Sequence, residues 1–172
     1  MIRRILLHPA LWAIVLVVGA AGLYWFQPWR LVTSTTVRET LSVPAATSSA
    51  SSPATPLPVV VRQGTFVTHE HATAGTARLI RDRDGSHRVE LVGLDTSDGP
   101  DLRVWLTDQP VLDGRAGWHV FDDGRYVELG RLKGNRGDQV YPVSADVDLA
   151  EYHSIAIWCK RFAVSFGAAP LA

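Results

Sequence analysis

The amino-acid sequence predicts an all-β domain, an antiparallel β-sandwich of about seven to nine strands, preceded by one N-terminal transmembrane helix and a disordered linker. The first observation is an apolar segment near the N-terminus, which is followed by a stretch rich in Ser, Thr, Ala and Pro. The second is a series of short alternating segments from Gly64 onward, separated by Gly and Pro. No window of about 11 or more residues in this part shows sustained helical periodicity. A small barrel is the alternative arrangement of the same strands.

The transmembrane helix is predicted over residues 5–26, which contain no Asp, Glu, Lys or Arg. At ~1.5 Å per residue this segment reaches roughly 33 Å, enough to cross a hydrocarbon core of about 30 Å. Tyr24 and Trp25 lie at its far end, where aromatic rings prefer the membrane interface. Arg3 and Arg4 favour a cytoplasmic N-terminus, which places the rest of the chain outside the cytoplasm. A cleaved signal peptide is the competing interpretation, although the apolar run continues past the small residues that cleavage requires.

Composition divides the chain into three parts. Residues 1–30 form the anchor, residues 31–60 a linker and residues 61–172 the folded domain. About 30 flexible residues have an r.m.s. reach on the order of 30 Å. We therefore expect the domain to be held near the membrane but not against it, and to fold without the residues before 59.

Charge and motifs exclude two function classes. The chain has 17 basic and 17 acidic residues, and no cluster of Lys and Arg stands out, which argues against a nucleic-acid partner. Ser, His and Asp are all present, but the sequence contains no G-x-S-x-G elbow and no H-E-x-x-H helix. A hydrolase is therefore not expected.

The strands of the domain are predicted from alternation and from turn signals. Residues 76–81 and 87–94 flank Asp84-Gly85, a pair typical of a hairpin turn. In residues 102–107 the Leu and Val side chains alternate with polar ones and with Trp105, which predicts a strand with one buried face. The other predicted strands cover residues 126–129, 139–143 and 152–166, and residues 145–152 are compatible with one helical turn.

Cys159, the single cysteine, lies in the most apolar of these segments, residues 154–166. One cysteine cannot form an internal disulfide, and an unpaired thiol outside the cytoplasm is a liability unless it is buried or used. Lys160 and Arg161 interrupt the apolar pattern, so we expect a bend or bulge that returns Phe162 and the residues after it to the core. Their charges would lower the thiol pKa if they lay near the sulfur. A buried, structural cysteine is the alternative.

Several motifs follow one another in a characteristic order and spacing: Gly64-Thr-Phe66, His71-Ala-Thr-Ala-Gly75, Gly99-Pro-Asp-Leu-Arg-Val-Trp-Leu106, Leu129-Gly-Arg-Leu-Lys-Gly-Asn-Arg-Gly-Asp-Gln-Val-Tyr141 and Ile157-Trp-Cys-Lys160. Together they resemble the electron-transfer DM13 (DM-thirteen) domain, known from Skeletor-type animal proteins and from many bacterial envelope proteins. The resemblance covers about residues 61–171, which is the whole predicted domain.

The resemblance implies a β-rich domain with one signature cysteine, here Cys159, that acts in redox chemistry. The cysteine would serve as a bare thiol or as a ligand to a prosthetic group such as haem, with His71 as the candidate second ligand. Animal relatives combine the domain with a haem-binding partner domain, for which this chain has no room. The resemblance therefore implies a separate redox protein as partner.

Two other sets of side chains were considered as metal ligands. His69 and His71 would share one face of a strand and could join Cys159 in a His₂Cys site, but the weak axial ligand usual for blue copper is missing. Surface histidines near a strand end are the favoured interpretation. Three carboxylates near a Gly-Pro turn lack calcium-loop spacing and are better explained as turn residues: Asp95, Asp98 and Asp101.

The sequence therefore predicts a single-pass protein of the cytoplasmic membrane, with an extracytoplasmic domain that has a redox or electron-transfer role through Cys159. It is not expected to be a stand-alone enzyme. Its partners would be the membrane and an unidentified redox or envelope protein. The alternative belongs to another class, a non-catalytic binding or adhesion module with a structural cysteine. Exposure of the Cys159 thiol discriminates between the two: a thiol at a pocket or rim favours the redox role, and a thiol sealed under Trp158 and aliphatic side chains favours the module.

Overall fold

The computed structural model describes residues 9–42 and 58–172. Its first element is an apolar helix, α1, over Pro9–Phe26, and none of its 18 residues is buried. The segment Pro9–Arg30 has a mean hydropathy of 1.8, so the helix is long and apolar enough to cross a membrane, a property that signal sequences share. Arg3 and Arg4, on which the predicted orientation depends, lie outside the described residues. A short 3-10 helix, Pro28–Leu31, follows.

The strands in the described residues lie between Thr36 and Pro170. In chain order they are β1 Thr36–Arg38, β2 Val59–Thr65, β3 Val67–Thr68, β4 Ala74–Arg81, β5 His87–Asp95, β6 Leu102–Thr107, β7 Tyr126–Arg131, β8 Arg136–Val143, β9 Ser154–Cys159 and β10 Val164–Pro170. Short 3-10 helices cover Gly114–Gly117 and Leu149–Glu151, the latter inside the segment predicted to hold one helical turn.

These strands form two sheets of five strands each, in the orders β1-β8-β5-β4-β2 and β3-β10-β9-β6-β7. Neighbouring strands are antiparallel except for β1, which is parallel to β8. Apolar side chains of both sheets form one buried cluster between them, with Leu79 and Leu91 from the first sheet and Leu106 and Ile157 from the second. The predicted all-β sandwich is confirmed, while β1, β2 and β3 were not among the predicted strands.

The second sheet is also covered on its outer face. Trp105 is 2% exposed and Trp158 is 1% exposed, and together with Phe121 they form a separate buried cluster. The two indole rings stack with centroids 5.0 Å apart. The prediction of one buried face for residues 102–107 is therefore wrong: the long segment between β6 and β7, which contributes Phe121, covers the face on which Trp105 lies.

The C-terminal apolar segment forms a hairpin and not a bent strand. β9 ends at Cys159, the chain turns through residues 160–163, and β10 runs back beside β9. Val164 and Phe166 are buried as expected, but Phe162 is 39% exposed at the tip of the turn. The register shift expected near Lys160 lies between Ser165 and Gly167.

Residues 33–42, which the sequence analysis assigned to the linker, lie along the first sheet. We call them the strap. In its middle, β1 pairs with β8 through Thr36 and Arg136, Val37 and Gly137, and Arg38 and Asp138. A Cβ on Gly137 would lie 2.0 Å from the Val37 carbonyl oxygen, so this close approach requires glycine. Residues 43–57 of the predicted linker lie outside the described residues, and its last two residues begin β2.

Candidate functional site

Cys159 is the last residue of β9, and its side chain belongs to the cluster between the two sheets. Its Cα partners are Leu102 on β6 and Val164 on β10, both in the same cluster. The residue is 0% exposed. Cys159 is therefore a buried free thiol and does not lie at the rim of the domain.

The turn over residues 160–163 lies directly beyond the thiol. The Lys160 N–H donates to the Asp101 carbonyl at 2.9 Å, and the Phe162 N–H donates to the Cys159 carbonyl at 3.3 Å. Ala163 has a left-handed backbone with φ of 49°, a conformation that costs a residue with a side chain of the order of 1 kcal/mol. Cys159 is thus separated from solvent by one tight turn.

Burial raises the pKa of the Cys159 thiol above its ordinary value, and the negative charge of Glu70 acts in the same direction. The backbone amides of Phe162 and Arg161 act in the opposite direction and do not reverse the shift. The thiol therefore stays protonated at neutral pH. Lys160 does not lower this pKa, because its Nζ lies 3.4 Å from Glu128 Oε2 on the outer face of the sheet.

Arg161 binds the end of α1. Its Nη1 donates to the carbonyl oxygens of Tyr24 at 3.3 Å and of Trp25 at 2.8 Å, and its guanidinium lies 5.5 Å from the centre of the Trp25 ring. The last carbonyls of a helix lack partners within the helix, and a cation at this end is also favoured by the helix dipole. The charge expected to act on the thiol therefore acts on the helix.

Two further contacts join the domain to α1 and the residues just after it. The ring of Phe26 stacks on the ring of Phe162, with centroids 5.8 Å apart. Arg30 Nη1 lies 3.2 Å from Asp98 Oδ1 and 3.3 Å from the Gly99 carbonyl oxygen. The domain is therefore in direct contact with α1, whereas the sequence analysis expected it to be held at a distance.

His71 lies at the same end of the domain as Cys159. Its ring packs on Phe166 with centroids 4.0 Å apart, and its Nε2 lies 3.8 Å from Glu70 Oε2. Phe166 belongs to the cluster that contains Cys159. One layer of side chains thus connects His71 to the surroundings of the thiol.

His69 is not a surface residue and does not form a pair with His71. It is 5% exposed, and its ring stacks on Phe121 in the outer cluster at 5.7 Å. Nδ1 lies 2.8 Å from Ser165 Oγ, and Nε2 lies 3.0 Å from the Leu112 carbonyl oxygen. Burial lowers the pKa of His69, so the ring is a neutral structural link. The predicted strand spacing fails because β3 ends at Thr68.

The three carboxylates near the Gly-Pro turn do not converge. Each has its own arginine: Asp95 binds Arg136, Asp98 binds Arg30, and Asp101 binds both Arg103 and Arg131. Within residues 9–42 and 58–172, no group of three or more His, Cys, Asp or Glu side chains is arranged to hold a metal ion. Asp95 is the last residue of β5, whereas Asp98 and Asp101 lie in the loop before β6.

A cavity of about 230 Å³ lies between the end of α1 and the domain. Phe26 and Arg30 line it from the side of the helix, and Glu70, His71, Phe162 and Phe166 line it from the domain. Cys159 is not among its lining residues. The turn and Phe166 separate this cavity from the thiol.

Haem is the prosthetic group that the resemblance implied for Cys159 and His71. An axial ligand has to present its donor atom to the iron inside a cavity that holds the macrocycle. Cys159 is 0% exposed, and the cavity beside His71 has a volume of about 230 Å³, below the ~300–1,000 Å³ of pockets for drug-sized ligands. These residues do not fit a haem held by Cys159 and His71.

Sequence reasoning missed the residues that join this end of the domain to the helix. Arg161 and Phe162 were assigned to the thiol and to the core, and Glu70 was not considered. The available signal was the turn itself: two charged residues after an apolar run mark a chain reversal as well as a bulge. The partner of that turn lies more than 130 positions away, so spacing alone could not reveal it.

The comparison with protein families gives one match, to the model described as "Electron transfer DM13", over residues 65–171. No curated protein and no solved structure matches the chain.

Proposed function

The chain belongs to the electron-transfer DM13 family, and from that premise we propose that it is a membrane-anchored electron-transfer module whose redox-active group is the Cys159 thiol. In this proposal α1 stays in the cytoplasmic membrane as a single-pass anchor, and the domain lies outside the cytoplasm. Residues 1–30 are the anchor, and residues 61–172 are the domain. The redox partner is a separate protein or a membrane component.

The observation that carries the proposal is the position of Cys159 beneath the turn that contacts α1. Arg161 and Phe162 bind the helix end, and Cys159 lies two residues before Arg161. With α1 in a bilayer, the aromatic residues near its end lie at the interface. The thiol therefore lies at the membrane-facing end of the domain, within one turn of the surface.

Burial of the Cys159 thiol argues against thiol–disulfide exchange and leaves electron transfer as the redox reaction that we propose. Thiol–disulfide exchange requires direct attack on the sulfur by a thiolate, and a buried, protonated thiol neither attacks nor is reached. In one-electron oxidation the Cys159 thiol becomes a thiyl radical: the electron passes to the oxidising partner through one layer of side chains, and the thiol proton is released to solvent across the turn. This step needs no direct contact between the sulfur and the partner. Burial also protects a thiol from stepwise oxidation, which depends on exposure and thiolate character.

Full burial of Cys159 is the outcome expected for the second candidate function, a binding or adhesion module with a structural cysteine. Buried cysteines with a raised pKa are typically inert, and Cys159 has both properties. The two candidates differ in one measurable property, because only the redox module exchanges electrons through Cys159.

The test is voltammetry of the full chain in lipid nanodiscs on an electrode, for the parent and for Cys159→Ala. Val164→Ala is the matched control, since it loosens the same cluster and keeps the thiol. The proposal expects a reversible wave in the parent and in Val164→Ala, and none in Cys159→Ala. No wave in the parent, or the same wave in Cys159→Ala, rejects the redox role and leaves the binding module.

A further inference from the structure

The cavity between α1 and the domain is lined by aromatic rings and by charged side chains of both signs. Phe26 and Phe162 stack with an interplanar angle of 21°, and Phe166, which packs against His71, lines the same cavity. Arg30 lines the cavity too, and its guanidinium is held in place by Asp98, the Gly99 carbonyl and Gln27. Such a site suits a flat ring that carries hydrogen-bond acceptors.

The position of the cavity narrows the class of ligand. It lies beside Phe26, the last residue of α1, at the level where Trp25 and Trp29 would lie in a membrane interface. A ligand with an apolar tail could place its ring in the cavity and leave its tail along α1. The volume of about 230 Å³ suits one substituted six-membered ring and excludes a macrocycle.

We propose that this cavity binds the head group of a membrane quinone. The ring lies among the phenylalanines, one carbonyl oxygen accepts a hydrogen bond from the His71 imidazole N–H, and the other faces the Arg30 guanidinium. This inference rests on the proposed function, since it takes α1 as a membrane anchor; it concerns binding of the quinone and includes no electron-transfer step to Cys159.

The site also lies close to the proposed redox group. Glu70 lines the cavity, and its charge acts on the Cys159 thiol. Phe162 lines the cavity as well, and its N–H is bonded to the Cys159 carbonyl. A bound quinone ring would be one layer of side chains away from Cys159.

The experiment is photolabelling of the full chain in phosphatidylcholine nanodiscs with an azido-benzoquinone that carries a short alkyl tail. Peptide mapping by mass spectrometry then locates the label. We expect saturable labelling of the peptides around residues 70–71 and 162–166, which an unlabelled decyl-benzoquinone abolishes. His71→Phe should weaken the labelling about tenfold, because it keeps the packing on Phe166 and loses the donor.

Two further variants keep the result interpretable. His87→Phe changes a histidine that lines a different cavity and should label like the parent. Phe162→Ala removes one aromatic wall and should also weaken the labelling, and thermal unfolding of each variant checks that it is folded.

Three outcomes would overturn the inference. The first is label spread along α1 to the same extent in the parent and in His71→Phe, which means partition into the bilayer only. The second is competition by a lysophospholipid and not by the quinone, which means a lipid head-group site. The third is anchored protein without saturable labelling. Loss of the anchor itself would appear separately, as protein in the supernatant after carbonate extraction, and would reject the proposed function.

Discussion

The ring of Phe162, in the turn that follows Cys159, stacks on the ring of Phe26 at the end of α1, with centroids 5.8 Å apart. The hydrogen bonds of Arg161 to the last carbonyls of the same helix lie beside this contact. Together they hold the domain in one orientation relative to the helix. A domain on a flexible tether would sample many orientations, whereas this one keeps the Cys159 turn next to the anchor.

Replacement of Arg161 by Ala should loosen the domain from α1. The change removes two hydrogen bonds that a charged donor makes to the helix. If the free energy of opening the turn falls by about 1 kcal/mol, amide protection in the turn falls roughly fivefold. The measurement is hydrogen–deuterium exchange of residues 160–163 in nanodiscs. Arg115→Ala is the matched control, because Arg115 lies over Trp118, 5.2 Å from the ring centre, and makes no contact with α1. Equal exchange in the parent and in Arg161→Ala would show that the contact does not hold the domain.

The stability of Cys159 variants should show whether the side chain is buried in an apolar environment in solution. Cys159→Ser places a hydroxyl in an apolar cluster, which costs roughly 1–3 kcal/mol if it remains without a partner. Cys159→Ala leaves a small cavity and should cost about 1 kcal/mol. Urea unfolding of both variants measures these free energies. Our expectation would be contradicted if Ser were the milder change, because the side chain would then have access to water or to a hydrogen-bond partner.

The stability of the protein should fall at alkaline pH through Cys159. Its pKa is raised in the folded state by burial, so the unfolded chain loses the thiol proton first, near the ordinary value of about 8.5. The contribution of the thiol is therefore fully present below that pH and is lost as pH rises toward the folded pKa. Tyr141, whose burial raises its pKa to about 12, acts in the same direction but is present in parent and variant alike.

The measurement is the difference in free energy of unfolding between the parent and Cys159→Ala, taken from pH 7 to pH 10. We expect the difference to shrink as pH rises. A difference that stays constant would mean that the thiol titrates equally in both states and is not buried in solution.

Strands and turns with a clear local sequence pattern were predicted well. Residues 102–107 form β6 with the predicted bounds, and Asp84-Gly85 lies in the turn between β4 and β5. Alternation reports the faces of a strand but not what covers them. Trp105 was therefore placed on an open face, although Phe121 and Trp158 bury it.

The surroundings of the candidate site residues could not be predicted from the sequence, and their roles stay proposals. Cys159 was singled out from composition, and His71 from the resemblance, and both lie at the end of the domain that contacts α1. Contacts between distant segments, such as Arg161 with Trp25 or Ser42 with Glu90, leave no periodic signal in the sequence. The same limit explains why residues 33–42 were assigned to a linker: their polar composition hides backbone pairing with β8.

The strap donates hydrogen bonds to a buried carboxylate on the first sheet. Glu90 is 0% exposed, and its Oε1 accepts hydrogen bonds from the Ser42 N–H at 2.8 Å and from Arg88 at 3.1 Å. Without the strap, Glu90 loses two donors, the N–H and the hydroxyl of Ser42, and β8 becomes an open edge that invites pairing with another chain. The domain is therefore still expected to fold without the residues before 59, but with a lower free energy of unfolding.

A fragment of residues 59–172 should fold, but it should be about 2 kcal/mol less stable than a fragment of residues 33–172, since the loss of donors from one buried carboxylate is worth roughly 1–3 kcal/mol. Urea unfolding of both fragments measures the difference.

Gly134→Ala tests whether the strap is the cause of this difference in stability. A Cβ on Gly134 would lie 2.5 Å from the Thr35 carbonyl oxygen and 2.8 Å from Val37 Cγ2, so the substitution should destabilise the longer fragment. In the shorter fragment these atoms are missing, and the same substitution should have almost no effect. This non-additivity isolates the contact between the strap and the domain. Equal effects of Gly134→Ala in both fragments would place the cost within the domain and would remove the strap as the source of stability.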